Sequence, residues 1–184
     1  MRAFIALEIS EPPVLDSLVS FQKELLSTGA DLKPVERENL HFTVKFLGEV
    51  SDSQSKEVAA RLGGLSLKGG VVEVAGVGAF PSQSRPSVVW AGVKPDSEQL
   101  VQAIAKPVID ILGDIGERDD RPFRAHATLA RVRSRAPHPG LVSLLRRASG
   151  TTFGTTTLRD FRLMSSTLTA SGPVYADLGV FPLG

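Results

Sequence analysis

The chain writes one four-residue pattern twice, as His41-Phe42-Thr43-Val44 and His126-Ala127-Thr128-Leu129, 85 residues apart. It has three histidines and ten threonines in 184 residues. Chance would set Thr two places after two of those histidines in only about one such sequence per hundred. In a β-strand, residues i and i+2 face the same side, about 6.5–7 Å apart. His41 and Thr43 then share a face, and Phe42 and Val44 turn toward a core. His126 and Thr128 share a face in the second copy, with Ala127 and Leu129 inward. A fold that brings the two strands together gathers two imidazoles and two hydroxyls around one point.

The surrounding pattern supplies the strands and their supports. Residues 2–9 read as a strand. Pro12-Pro13 opens a helix that Gly29 ends. Residues 40–47 read as a strand stopped by Gly48. Residues 51–62 read as a helix with Ser51 or Asp52 as N-cap and Gly63-Gly64 as its stop. Valine-rich strands are expected at 71–77 and 88–93, with FPSQSRPS as a polar loop between them. The clearest helix pattern is 97–115, where Pro107 predicts a kink or a break. A strand at 125–132, a short helix at 141–148 and strands at 152–163 and 174–180 complete the chain. Several strands follow one another directly, which indicates an α+β fold with mostly antiparallel pairing. Neither 64–70 nor 133–140 is long enough to separate domains, so 1–184 reads as a single domain.

Composition narrows the chemistry. Cysteine is absent, which removes disulfide scaffolds, thiolate nucleophiles and Cys-based zinc or iron–sulfur sites, and fits a reducing compartment. Lys+Arg is 21 and Asp+Glu is 20, so an acidic ligand must be met by a local positive patch. The N-terminal MRAFIALEIS lacks the long apolar core and cleavage site of a signal peptide, and no run approaches a span of about 20 apolar residues. A soluble, cytoplasmic monomer without membrane association is the expectation.

A cavity with two imidazoles and two hydroxyls suits phosphodiester hydrolysis. A neutral imidazole can take a proton from water, and an imidazolium can give one to the leaving oxygen. The hydroxyls can donate to non-bridging phosphate oxygens. A metal would want a third or fourth protein ligand, and His138, in the turn sequence APHPG, reads as a solvated turn residue. Pattern alone leaves open two structural strand histidines with satisfied hydrogen bonds. Gly76 and Gly78 do not form a dinucleotide fingerprint.

ENLHFTVKFLGEV (38–50) and FRAHATLARVR (123–133) resemble the paired His-x-Thr-x motifs of the two-histidine (2H) phosphoesterases. More narrowly, they are similar to the bacterial and archaeal RNA 2′,3′-cyclic phosphodiesterases, historically called 2′-5′ RNA ligases. MRAFIALEI, GVGAFPSQSRPSVVWAGV (76–93) and LMSSTLTASGPVYADL (163–178) extend the resemblance over nearly the whole chain. It implies a bilobal fold with two mostly antiparallel sheets, outer helices and a central cleft of pseudo-two-fold symmetry. It implies cofactor- and metal-independent opening of 2′,3′-cyclic phosphates at RNA ends to 2′-phosphomonoesters, with reversible 2′-5′ ligation as a side activity. His41 would be the proton donor and His126 the proton acceptor, with Thr43 and Thr128 holding the phosphate.

The flanking residues follow less evenly. Strand parity puts Lys45 on the site face and Arg131 opposite His126, so Arg131 reaches phosphate only if a bulge or the strand's end intervenes. Ala125 stands where the family often has Pro. Parity turns Phe42 inward, whereas Phe4 is a candidate surface for stacking a base. Two other functions stay open: a phosphodiesterase for another cyclic or 2′,5′-linked nucleotide, and a non-catalytic module that binds RNA ends.

Overall fold

The computed structural model describes residues 1–184. Strand β1 (Arg2–Glu8), helix α1 (Pro12–Ser27), a short β2 (Leu32–Pro34) and β3 (His41–Glu49) come first. Helix α2 (Asp52–Gly63), the hairpin β4 (Gly70–Pro81) and β5 (Pro86–Val93), helix α3 (Pro95–Leu112) and β6 (Ala127–Val132) follow. Helix α4 (Pro139–Arg147) and strands β7 (Thr152–Leu158), β8 (Asp160–Thr169) and β9 (Gly172–Pro182) end the chain.

Every pairing is antiparallel, along the path β7-β4-β5-β6-β3-β1-β8-β9 with β2 beside β6. The two halves of that path meet through one residue pair, Phe42 opposite Ala127. Each half therefore ends, at the centre, on a strand bearing one copy of the repeat. The two sheets expected from the resemblance are these four-stranded halves, joined at the repeat itself. Phe42, Val44, Ala127 and Leu129 are buried in one core. Helices α3 and α1 pack against β3 and β6 respectively. Helix α3 offers Val101, Ile104, Ala105, Val108 and Leu112 at helical spacing, and α1 offers Val14, Leu18, Phe21 and Leu25.

Several elements differ from the sequence reading. The hairpin runs on to Pro81 and Pro86, which lie opposite each other where the ladder ends, so the polar loop shrinks to four residues. The single strand expected at 152–163 is two strands from opposite halves of the sheet. The chain turns at exposed Arg159, and both flanks are apolar because Leu158 and Phe161 are each buried. Gly48 does not stop β3; at φ 69° it carries the strand through an irregular step to Glu49. Helix α3 remains helical through Pro107, its apolar face holding it on the sheet. His138 is the N-cap of α4, its Nδ1 accepting from the Leu141 N–H at 3.1 Å.

Candidate functional site

Two bulges decide which residues share the site face. Residues directly opposite in an antiparallel pair point the same way. On β3, Thr43 lies opposite Ala6, but Lys45 lies opposite Ile5 and Phe46 opposite Phe4. One residue, Val44, is skipped, and parity inverts beyond it. On β6, Thr128 lies opposite Trp90 and Ala130 opposite Val89, so Leu129 is skipped at the same place in the repeat. The second bulge is pinned from outside: buried Gln22 of α1 donates from Nε2 to the Leu129 and Val35 carbonyls, each at 2.8 Å. The Val35 N–H also donates to the Leu129 carbonyl at 2.9 Å.

The bulges bring Arg131 onto the site face, as required for it to reach phosphate, and take Lys45 off it. Lys45, expected on that face, shares the orientation of buried Ile5, and its Nζ donates to the Glu117 carbonyl at 3.0 Å. Phe46 takes its place and is the repeat equivalent of Arg131.

Phe42 and Ala127 are the one pair between β3 and β6, so His41 and Thr43 flank one side of that contact and His126 and Thr128 the other, each turned away from the core that Phe42 and Ala127 enter. Beside them is a cavity of about 460 Å³, whose lining includes Phe4, His41, Thr43, Phe46, Thr128 and Arg131. His126 is not part of its lining.

The ring nitrogens have assigned tasks. His41 Nδ1 is 2.6 Å from the Asn39 carbonyl, and His126 Nδ1 is 3.0 Å from the Arg124 carbonyl. A carbonyl only accepts, so both Nδ1 atoms carry a proton and both neutral rings keep an Nε2 lone pair for chemistry. His41 Nε2 is 3.0 Å from Thr43 Oγ1, and in the neutral ring the hydroxyl donates.

The surroundings of the two rings differ. His41 stacks on Phe4, with centroids 5.1 Å apart and planes 20° apart, and Tyr175 closes its edge at 5.6 Å. Burial pulls the His41 pKa from 6.5 to about 4, and the bond to the Asn39 carbonyl partly offsets this. His126 lies edge-on to Phe80 at 5.1 Å and 6.3 Å from Trp90. Phe4 is not a base-stacking surface: it is 4% exposed, with one face given to His41 and its edges to Tyr175 and Phe46. The exposed aromatic of the cavity is Phe46, at 53%. Phe46, Tyr175 and Lys33 line the site without having been singled out from the sequence. No group of three or more His, Cys, Asp or Glu side chains converges as a metal would need. No helix is long and apolar enough to cross a membrane.

The family model described as LigT-like phosphoesterase matches residues 8–90 and 93–175. The chain is 38% identical over 181 residues to the RNA 2′,3′-cyclic phosphodiesterase of Archaeoglobus fulgidus, covering 98% of this chain and 99% of that one. It is 34% identical over 156 residues to the protein of that name from Aquifex aeolicus, covering 83% and 82%. Among solved structures, TT0787 of Thermus thermophilus superposes with a TM-score of 0.75 at 29% identity, covering 100% of this chain and 98% of that one. Apo LigT of E. coli does so at 0.75 and 26% identity, covering 99% and 96%.

Proposed function

This chain belongs to the LigT-like phosphoesterases, and from that premise we propose that it hydrolyses 2′,3′-cyclic phosphates at RNA ends to 2′-phosphomonoesters. The observation that supports the reading is the pairing of Phe42 with Ala127, beside which His41, Thr43, Thr128 and Arg131 line one cavity.

Catalysis divides among the motif residues. His126 Nε2 takes a proton from a water molecule as its oxygen attacks phosphorus. The bond from phosphorus to O3′ breaks in line, and His41 Nε2–H protonates O3′, leaving the phosphate on O2′. Thr43 and Thr128 donate hydroxyl hydrogens to the non-bridging oxygens, and Arg131 neutralises the charge that gathers there. Each acid–base partner is worth about 10²–10⁴ in rate. Two histidines complete the proton inventory, so the reaction calls for no cofactor. Both motif strands come from one chain, which suits a monomer, and the cysteine-free sequence suits the cytoplasm.

One feature favours the opposite assignment of roles. A neutral, buried His41 is a better base than acid before substrate arrives. His41 acts as the acid only if the bound phosphate supplies the charge that keeps it protonated.

The test is the product formed from a nucleoside 2′,3′-cyclic phosphate, read by phosphorus NMR with chelator present. The 2′-phosphate is expected, with turnover lowered by at least about 10² in His41→Asn and His126→Asn. A 3′-phosphate product, binding without turnover, or turnover only with a 2′,5′-linked dinucleotide would each overturn the assignment.

A further inference from the structure

Several arginines outside the cavity lining are neutralised. Arg162 reaches Glu8, Asp160 and Asp177; Arg133 reaches Asp31; Arg37 reaches Asp16. Lys33 and Arg131 are different. They lie directly opposite each other across the β2–β6 pair, so their side chains leave the sheet on one face with Cα atoms about 4.5–5.5 Å apart. Like charges so placed repel, which destabilises the pair. Neither forms an ion pair or a hydrogen bond, although both line the cavity with His41 and Thr128. Lys33 Nζ hangs over the β8–β9 turn, 3.6 Å from where a Cβ on Gly172 would stand. Arg2, Glu36 and Glu117 also line the cavity, but neither carboxylate is in ion-pair contact with Lys33 or Arg131, and two cations side by side without a partner are a site for an anion.

The order across the face says which anion. Thr128 and Arg131 are on β6, and Lys33 is on β2, beside β6 on the edge that β3 also uses, with its Nζ carried out to Gly172 at the start of β9. Arg131 is long enough to reach the phosphate under attack, whereas Lys33 is set toward a second phosphate beyond it. Resting on the proposed RNA-end activity, we infer that Lys33, with Arg131 between the two sites, binds the 5′-phosphate of the terminal nucleotide. That phosphate joins the cyclic end to the rest of an RNA strand. The preferred substrate is then the end of an oligonucleotide or a 5′-phosphorylated nucleotide, and a bare nucleoside cyclic phosphate is a poorer one. Each such contact should release counterions and appear as salt dependence.

The experiment compares wild type and Lys33→Gln on three substrates: a nucleoside 2′,3′-cyclic phosphate, the same compound with a 5′-phosphate, and a short RNA ending in that cyclic phosphate. Wild type should favour the two substrates carrying the 5′-phosphate. Lys33→Gln should shrink that preference in kcat/KM about tenfold, mainly through KM. It should also flatten the logarithmic salt dependence of KM on the RNA by about 0.7. Equal losses on all three substrates would put Lys33 on the scissile phosphate and overturn the inference, and so would an unchanged preference. A wild-type protein that hydrolyses none of the three would overturn the proposed activity as well. Preserved turnover of the bare compound with an unchanged preference ratio would overturn only the role of Lys33.

Discussion

Replacing His41 by asparagine should abolish a coupling between anion binding and proton uptake. In the free protein the ring, walled by Phe4 and Tyr175, has its pKa pulled down to about 4. At pH 7 roughly one molecule in a thousand then carries imidazolium, so a donor limited to that population would lose about 10³ in rate. The charges already around the ring do not correct this. Glu8, opposite His41 on β1, is held by Arg162 at 3.0 Å, and Arg131 is a cation. The missing charge is the substrate's own phosphate, since an anion within about 4–6 Å favours imidazolium. Lifting the pKa from about 4 to 7 requires about 4 kcal/mol of interaction between anion and ring.

That interaction must appear in binding. Between the free and bound pKa values the complex holds one more proton than the separated partners, so affinity rises as pH falls, by up to about tenfold per unit. The rise levels off below the free-state value, about 4. A suitable ligand is a 2′-deoxynucleoside 3′-methyl phosphate, a diester with constant charge and no 2′ hydroxyl to cyclise. Calorimetry in buffers of different ionisation enthalpy counts the protons taken up. Wild type should take up close to one proton at pH 6, and His41→Asn close to none. A wild-type uptake of zero, with equal affinity at pH 5 and 7, would refute the donor role and leave His41 as the base.

Two further perturbations test how the site is held. Gly78→Ala would drive a Cβ into Cζ2 of Trp90, so the ring must move, at a cost of about 1–3 kcal/mol. Trp90 is the only tryptophan and lies against His126, so its fluorescence and kcat should change together; an unshifted spectrum with wild-type kcat would refute the link. Gln22→Leu removes both donors to the Val35 and Leu129 carbonyls and should lower stability by about 1–3 kcal/mol in urea melts. An unchanged midpoint would mean that Gln22 does not hold the bulge.

The repeat made the core of the site legible, because a period of two residues and one shared face are local properties of a strand. Parity counting fails at a bulge, since one extra residue sends every later side chain to the other face. The sequence required a bulge or the strand's end to bring Arg131 to phosphate; a bulge does so, and the same device in the first copy removes Lys45 and installs Phe46. The offset of 85 residues that pairs His41 with His126 also pairs Phe46 with Arg131, so that exchange was written in the chain. Lys33 and Tyr175 were not legible. They come from β2 and from the β8–β9 hairpin, and no local pattern announces which distant strand will settle beside a motif. The burial of Phe4 was hidden for the same reason: His41 and Tyr175, both remote in sequence, cover it.

Two motifs of one pattern give no basis for one histidine to donate and the other to accept, and only their surroundings differ. The first copy lies in an apolar setting of Phe4, Phe46 and Tyr175, and the second carries Arg131 where the first has Phe46. The anchor proposed for the anion, Arg131, is therefore on the β6 side, and the ring of His41 is on the β3 side. Burial makes His41 nearly neutral when the cavity is empty and strongly sensitive to a charge placed beside it. His126 instead packs beside Phe80 and Trp90 and is not part of the cavity lining. A repeat brings the groups together, and the burial of one of them, His41, lowers its pKa toward that of a base that an anion must turn into an acid.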